Sequence, residues 1–243
     1  MTQESRTQRL QNNANLDSKM VSIGARILSQ NDKKANELRE IYQTNDLYVI
    51  NLMSSPGSGK TSFLESLSAY KDFRFCVLEG DLQTNRDAQR LQDKGIQAHQ
   101  ITTGEACHLD AKMIESGFGA LGKICDFSKC EYLFIENVGN LVCPASYDLG
   151  AALNVVFLST PEGDDKILKY PSMFLCADIV VVSKWDLAEV FGFHLEQVRS
   201  DLANLNKHIP IFCLSTKDNA SVENLKNYID KMRKTRYISK HIF

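Results

Sequence analysis

The stretch SSPGSGKT, which begins at Ser54, combines two glycines, a lysine and a threonine at the spacing of a phosphate-binding loop. Gly57 and Gly59 let backbone N–H groups turn toward phosphate oxygens. Lys60 would reach the β- and γ-phosphates, and Thr61 would offer its hydroxyl to Mg²⁺. Ser54 stands where the usual pattern has its first glycine, which removes backbone freedom but no phosphate ligand. The predicted phosphate-binding residues are Gly57, Ser58, Gly59, Lys60, Thr61 and Ser62.

Acidic residues end two apolar runs further along the chain. Glu79 and Asp81 lie in EGDLQTNRDA, and Glu136 ends YLFIE. Side chains at the carboxyl ends of parallel strands point into the ligand crevice, and Mg²⁺ prefers hard oxygen ligands. Asp81 is the candidate for positioning the attacking water, while Arg86 is equally a γ-phosphate ligand or an ordinary surface arginine. The predicted catalytic residues are Lys60, Asp81 and Glu136, and the predicted Mg²⁺ ligands are Thr61, Asp81 and Glu136.

Two later stretches predict which base the site selects. In VVVSKWDL, Asp186 falls where the N-K-x-D element of GTPases has its aspartate, with Lys184 set to lie along the base and Ser183 replacing the usual asparagine. A carboxylate accepts from N1–H and the 2-amino group of guanine, whereas adenine offers a lone pair at N1. The stretch FCLSTKDN is similar to the S-A-K element that backs the guanine. GTP is therefore favoured over ATP, with base-binding residues Lys184, Asp186, Ser215, Thr216 and Lys217.

Cysteine and histidine stand next to these segments. Cys107 and His108 are adjacent in TTGEACHLDAK, and Cys143 lies seven residues after Glu136 in ENVGNLVCPASYDLG. Thiolate and imidazole suit Zn²⁺ or Ni²⁺. Spacing alone slightly favours a structural or incidental Cys-His pair over a metal site. Cys125 and Cys130 offer a second, weaker metal candidate, because no histidine accompanies them.

The elements that must position these residues alternate between strand and helix. Apolar runs of strand character occur at 47–53, 74–79, 96–101, 131–138, 153–159, 177–183 and 209–214, and segments of helical period at 60–69, 86–94, 108–123, 190–206 and 220–234. This alternation predicts an α/β fold with three layers, a P-loop NTPase with a mostly parallel central sheet. An N-terminal helical segment precedes it, with a possible break into two helices at Asn31-Asp32. The predicted organisation is a mobile tail over 1–16, the helical segment over 17–45 and a GTPase domain over 46–243.

Composition limits the remaining classes. The formal net charge of the 243 residues is −2, which argues against a nucleic-acid-binding surface. No apolar run approaches the roughly 20 residues that a membrane-spanning helix needs, and the polar N-terminus lacks the apolar core of a secretory signal. The seven cysteines are scattered and odd in number. We therefore expect a reduced, cytoplasmic protein.

Taken together, GDLQTNRDA, TTGEACHLDA, ENVGNLVCPASYDLGA, PEGDDKILKYPSMF and the phosphate loop closely resemble the nickel-incorporation GTPases of the HypB family. The resemblance extends from about Val49 to Lys217. It implies a role in maturation of [NiFe]-hydrogenase, with urease as a further target in some bacteria. It also implies a dimer-forming P-loop class shared with signal-recognition GTPases and MinD-like ATPases.

The resemblance carries further expectations about cofactors and partners. It implies slow GTP hydrolysis to GDP, a homodimer promoted by GTP and metal, and partners of two kinds, a HypA-type nickel chaperone and the hydrogenase large subunit. The metal ligands of the family match Cys107, His108 and Cys143, with Ni²⁺ or Zn²⁺ at the same site. The N-terminal cysteine motif and His-rich tract of some members have no counterpart here, because the first cysteine is Cys76. Metal handling is therefore expected at the GTPase-domain site.

Three other functions remain as alternatives. A urease-type GTPase accessory protein is the nearest neighbour, although ACHLDA and NLVCPASYDLG fit the hydrogenase family better. A P-loop kinase of small metabolites would have the phosphate loop but no reason for Lys184 with Asp186 or for Ser215 with Lys217. A metallochaperone without catalysis would use the nucleotide only as a regulator.

Overall fold

The structure is a computed structural model that describes residues 18–83, 85–205 and 208–240, with side chains from 25 to 235. Seven strands form one sheet in the order β3-β2-β4-β1-β5-β6-β7, and all pairings are parallel. The strands are β1 (Tyr48–Ser54), β2 (Phe75–Asp81), β3 (Gln97–Thr102), β4 (Tyr132–Glu136), β5 (Leu153–Ser159), β6 (Ile179–Ser183) and β7 (Ile211–Leu214). Each begins and ends within two residues of a predicted run, so the predicted sheet is confirmed.

Helices cover both faces of the sheet. They are α1 (Ser18–Thr44), α2 (Lys60–Leu67), α3 (Arg86–Asp93), α4 (Ala111–Leu121), α5 (Lys166–Lys169), α6 (Pro171–Cys176), α7 (Leu195–Asn204) and α8 (Asn219–Lys240). Six of them match predicted helical segments, and the short α5 and α6 were not predicted. The helix expected from residue 190 starts only at Leu195, because the chain turns at Gly192 with φ of 59° and Phe193 N–H donates to the Ala188 carbonyl.

The N-terminal helix α1 is continuous, so the predicted break at Asn31-Asp32 is wrong. The physical reason is that the Asn31 side chain forms hydrogen bonds with segments outside the helix. Its Nδ2 donates to the Asp148 carbonyl at 2.8 Å, and its Oδ1 accepts from Ala111 N–H at 2.9 Å. Arg39 adds a bidentate contact to Asp148 at 2.7 and 2.8 Å. The predicted tail over 1–16 lies outside the described residues.

Alternating side chains of the strands build a core on each face. On one face, Phe63 and Leu67 of α2 and Leu225 of α8 pack on Ile50 and Phe134. The opposite face carries α1 and α4 over β1, β2 and β4, and α6 with α7 over β5 and β6. Because the central strands are buried on both faces, they are continuous apolar runs rather than alternating ones.

Strand register brings the predicted site residues to one edge of the sheet. Glu136, the last residue of β4, pairs with Leu52 on one side and with Glu79 on the other. Ser159 pairs with Ser183 at the same edge. The carboxyl ends of five adjacent strands therefore form the floor of a crevice. Among the described residues, no helix has the length and apolarity to cross a bilayer.

Candidate nucleotide and metal site

The loop between β1 and α2 has the backbone conformation that phosphate binding needs. Gly57 has φ of 71° and Gly59 has φ of 92°, in the left-handed region where only glycine is unstrained. Lys60 opens α2, so the N-terminal N–H groups and the positive end of the helix dipole face the loop. An anion would be stabilised here by backbone groups without any side-chain rearrangement.

Ser54, the irregular first position of the loop, contacts the lysine of the loop, Lys60. Ser54 is fully buried, and its hydroxyl accepts from Lys60 Nζ at 2.7 Å. Burial lowers the pKa of Lys60, while the carboxylates of Glu136 and Glu79 oppose that effect. The serine thus gives a buried ammonium a polar partner inside the crevice, a contact that glycine would not make.

The buried acids at the sheet edge form a donor set for a hard cation. Thr61 Oγ1 donates to Glu136 Oε1 at 2.7 Å, while the second oxygens of Glu136 and Glu79 are buried with no hydrogen-bond partner among the described residues. Burial raises the pKa of Glu136. Burial first, and then the charge of Glu136, raise the pKa of Glu79 to about 8. Buried carboxylate oxygens without partners are unfavourable alone, and their chemistry fits Mg²⁺ with bound water.

These residues line one cavity of about 310 Å³. Asp81 lies on its wall, as predicted, and accepts from the N–H of Leu82 at 2.6 Å. Arg86 is exposed and does not line the cavity. Arg90, one helical turn further along α3, does line it and pairs with Glu65 and Asp87, each at 2.8 Å. Spacing along α3 could have indicated this alternative, because residues four apart share a helix face.

A second cavity of about 230 Å³ opens beside the loop and is lined by every predicted base-binding residue except Ser215. Ser215 Oγ donates to Asp186 Oδ1 at 2.9 Å, and Lys217 Nζ donates to Oδ2 at 2.8 Å. These two donors lower the pKa of Asp186, Lys217 more than Ser215. The carboxylate is therefore charged and oriented before any ligand arrives. Lys184 and Thr216 complete the predicted set on the cavity wall.

Ser183, which stands where the GTPase pattern has asparagine, joins the two cavities. Its Oγ donates to the Ser58 carbonyl of the phosphate loop at 2.6 Å. The next residue, Lys184, has a left-handed backbone with φ of 55°, and its carbonyl accepts from Thr160 Oγ1 at 2.8 Å. Ser183 thus links the end of β6, which precedes Lys184 and Asp186, to the phosphate loop.

The predicted metal-binding residues come together from two loops. The Sγ atoms of Cys107 and Cys143 are 2.9 Å apart, and Cys107 Sγ is 4.0 Å from His108 Nδ1. One donor atom from each of the three residues lies within 4.8 Å of the others. Burial raises the pKa of Cys143 to about 11 and lowers the pKa of His108. The His108 ring stacks on Tyr147 at 3.9 Å, a contact that the sequence offered no signal for beyond proximity to Cys143.

Short polar and steric contacts connect this cluster to the nucleotide cavity. Asn137 Oδ1 accepts from the N–H of Leu109, next to His108, at 3.2 Å. Gly139 packs so closely on the phosphate loop that an added Cβ would lie 2.7 Å from Pro56 Cα. Asn140 Oδ1 accepts from Cys143 N–H at 3.4 Å. Residues 136–143 therefore connect Glu136, which accepts from the Thr61 hydroxyl, to Cys143, whose thiol belongs to the metal cluster.

A glycine-rich loop between a strand and a helix, at the carboxyl edge of a parallel sheet, defines this chain as a P-loop nucleotide-binding protein. Residues 48–213 match the model of the CobW/HypB/UreG nucleotide-binding domain. The chain is 62% identical over 239 residues to the hydrogenase/urease maturation factor HypB of Helicobacter hepaticus, which covers 98% of this chain and 99% of the relative. The chain therefore belongs to the HypB family.

Solved structures agree with this assignment. HypB from Helicobacter pylori in complex with nickel matches with a TM-score of 0.84 and 58% identity, over 86% of this chain and 97% of that one. HypB from Archaeoglobus fulgidus matches with a TM-score of 0.73 and 35% identity, over 85% and 98% of the two chains. The predicted fold class and family resemblance are confirmed. Family membership also supports the predicted GTPase activity at the level of the family.

Proposed function

We propose that this chain is a GTP-hydrolysing nickel metallochaperone that assists insertion of Ni²⁺ during maturation of [NiFe]-hydrogenase, with urease as a second target. The proposal is supported by the names of its relatives, hydrogenase/urease maturation factors, and by the nickel complex of the H. pylori protein. The observation that carries it is the segment 136–143, which contacts the phosphate loop at one end and holds Cys143 at the other.

Different residues of the nucleotide site would have different roles in phosphate binding and hydrolysis. Gly57 to Ser62 would cradle the phosphates, and Lys60 would leave Ser54 to neutralise charge on the β- and γ-phosphates. Asp81 would orient the attacking water. Mg²⁺ would be held by Thr61, Asp81 and Glu136, and when bound it neutralises charge on the phosphates. Turnover would be slow, because a switch needs a lasting GTP state.

Nickel is the cargo, bound by Cys107, His108 and Cys143. Zn²⁺ competes for the same donors, since two thiols and an imidazole suit either ion. Val142, next to Cys143, is an exposed apolar side chain, so a homodimer interface here would be a natural place to complete the metal coordination. Delivery would then involve a HypA-type nickel chaperone and the hydrogenase large subunit. All seven cysteines are free thiols, which supports a reducing cytoplasm as the compartment.

The experiment that tests this switch compares nucleotide states of the same protein. Ni²⁺ affinity and molecular mass are measured with GDP and with a non-hydrolysable GTP analogue, and an ATP analogue serves as the control. Coupling through residues 136–143 should change Ni²⁺ affinity about 5- to 150-fold between the GDP and GTP states. The mass should rise toward a dimer with GTP and Ni²⁺. Equal affinity and equal mass in both states would reject the proposed coupling.

Asp186→Asn tests the choice of base. The amide keeps the side-chain volume but removes the charged acceptor that guanine N1–H and its 2-amino group require. A hydrogen bond to a charged group contributes about 1.5–3 kcal/mol, so selectivity for GTP over ATP should fall about 10- to 150-fold in competitive binding. Glu189→Gln is the matched control, because Glu189 is exposed nearby and does not line the base cavity. An unaltered selectivity for GTP over ATP would instead favour the alternative of a P-loop kinase.

A further inference from the structure

A second cluster of cysteines lies away from the nucleotide and nickel segments. Cys76 on β2 meets Cys125 and Cys130, and one Sγ from each of the three lies within 4.8 Å of the others. Cys76 is fully buried, Cys125 is 6% exposed and Cys130 is half-buried. Of the seven cysteines, two remain outside both clusters, Cys176 and Cys213.

The cluster lies at the opposite edge of the sheet from the crevice. Cys76 is the second residue of β2, and five residues separate it from Asp81 at the carboxyl end. At about 3.3 Å per residue, that separation is about 16 Å. Cys130 precedes β4, and Cys125 follows α4. The two clusters therefore share no ligand and no loop.

The spacing of the sulfurs matches that of metal ligands. A Zn–S bond of about 2.3 Å in a tetrahedral site places two sulfurs about 3.8 Å apart. The Sγ atoms of Cys125 and Cys130 are 3.7 Å apart, much longer than a disulfide bond of about 2.05 Å. Both residues are held by backbone hydrogen bonds, Cys125 N–H to Leu121 and Cys130 N–H to Phe127, each at 2.9 Å. The fold thus positions these two thiols for metal binding before an ion is present.

The surroundings of the three cysteines fit a soft cation that keeps one coordination position open. Three thiolates with a divalent ion carry a net charge of −1, and the guanidinium of Arg74 acts electrostatically on Cys130. The half-buried side at Cys130 leaves a fourth position open to water or a small ligand. Ordinary buried cysteines pack as small apolar groups, but that role does not require three of them, from two separate segments, to converge.

We propose that Cys76, Cys125 and Cys130 form a second metal site, which binds a thiophilic d¹⁰ cation, Zn²⁺ or Cu(I), through three thiolates. The ion would tie β2 to the 125–130 turn and to the start of β4. It would be separate from the nickel cargo, because no histidine of the described residues joins this cluster and three thiolates select Zn²⁺ or Cu(I).

The test uses full-length protein, reduced and stripped of metal, in which Cys107→Ser and Cys143→Ser remove the first cluster. Zn²⁺ and Cu(I) are titrated separately against a chromophoric chelator. One ion per chain is expected in at least one arm, and Co²⁺ should give a thiolate charge-transfer band. Adding Cys130→Ser should lower affinity at least ~100-fold and abolish the band. Cys130 is chosen because, unlike Cys76, it is partly exposed and its loss should spare folding.

Cys213→Ser in the same background is the matched control, because Cys213 is half-buried and outside both clusters. It should keep the ion. Circular dichroism without metal verifies that each variant is folded. Absence of binding in both arms would overturn the proposal. So would unchanged affinity in Cys130→Ser, or a thiol count showing a Cys125–Cys130 disulfide in freshly reduced protein.

Discussion

Replacing Lys60 with alanine should lower the rate constant of GTP hydrolysis about 10²- to 10³-fold, the loss expected when one preorganised charge donor is removed from a transition state. Lys60 is buried among Glu79 and Glu136, and its ammonium is held at Ser54 at the floor of the crevice. No other described lysine lines this cavity, and Arg90, the arginine on its wall, is already paired with Glu65 and Asp87. Phosphate release at saturating GTP measures the effect.

Two variants separate catalysis from general effects of charge and folding. Lys71→Ala removes an exposed lysine just after α2 and should leave the rate unchanged. Ser54→Gly restores the usual loop residue and removes the resting partner of Lys60, together with a local bond from the hydroxyl to the Ser55 carbonyl. Its rate should stay within about tenfold of the parent, because a hydrogen bond contributes about 1 kcal/mol. If Lys60→Ala hydrolyses GTP as fast as the parent, the nucleotide acts only as a regulator and the non-catalytic metallochaperone is the better description.

The sheet and the phosphate loop were predictable because local chemistry determines both. Runs such as DIVVVS are buried on both faces, so their composition marks parallel strands, and glycine at positions 57 and 59 is required by backbone angles. The short helices α5 and α6, of four and six residues, are too brief to show a helical period. Their helical conformation depends instead on packing against β5 and β6.

Long-range contacts account for what the sequence did not predict. Asparagine is a residue type that often interrupts helices. The Asn31 side-chain amide, however, forms hydrogen bonds with Asp148 and Ala111, which lie more than 70 residues away in the sequence. Cys125 and Cys130 are a visible pair, but Cys76 joins them only because β2 lies beside β4. Arg90 rather than Arg86 lines the phosphate-loop cavity because it lies one turn further along α3, and the position of α3 against the cavity is determined by packing. Residue identity and spacing indicate candidate chemistry, whereas tertiary packing selects among candidates.

The segment 136–143 contacts the phosphate loop and also carries a thiol of the metal cluster. At one end, Glu136 is hydrogen-bonded to Thr61, a partner that a bound nucleotide with its cation would take over. In the middle, Gly139 has no space to move toward Pro56. In the proposed mechanism, a rearrangement of the phosphate loop would displace this segment, and Cys143 with it. By reciprocity, an ion that favours one position of Cys143 favours the corresponding nucleotide state.

Cys143→Ala should weaken Ni²⁺ binding at least ~100-fold, because it removes one of three converging donors, and loss of even an outer partner of a metal ligand costs 10- to 100-fold. The loop should keep its path, since Asn140 accepts from the backbone N–H of residue 143, which alanine retains. Competition with a chelator measures affinity, and size-exclusion chromatography with a GTP analogue measures mass. Ni²⁺ should no longer increase the dimer fraction of the variant.

Cys213→Ala is the matched control, since it deletes a half-buried thiol outside both cysteine clusters and should keep the parent affinity. GTP-analogue binding by Cys143→Ala verifies that its nucleotide site is folded. Unchanged Ni²⁺ affinity would reject Cys107, His108 and Cys143 as the cargo site. A weakened affinity that still differs between GDP and GTP states would instead mean that residues other than 143 transmit the coupling, with Asn137 and its contact to Leu109 the next segment to test.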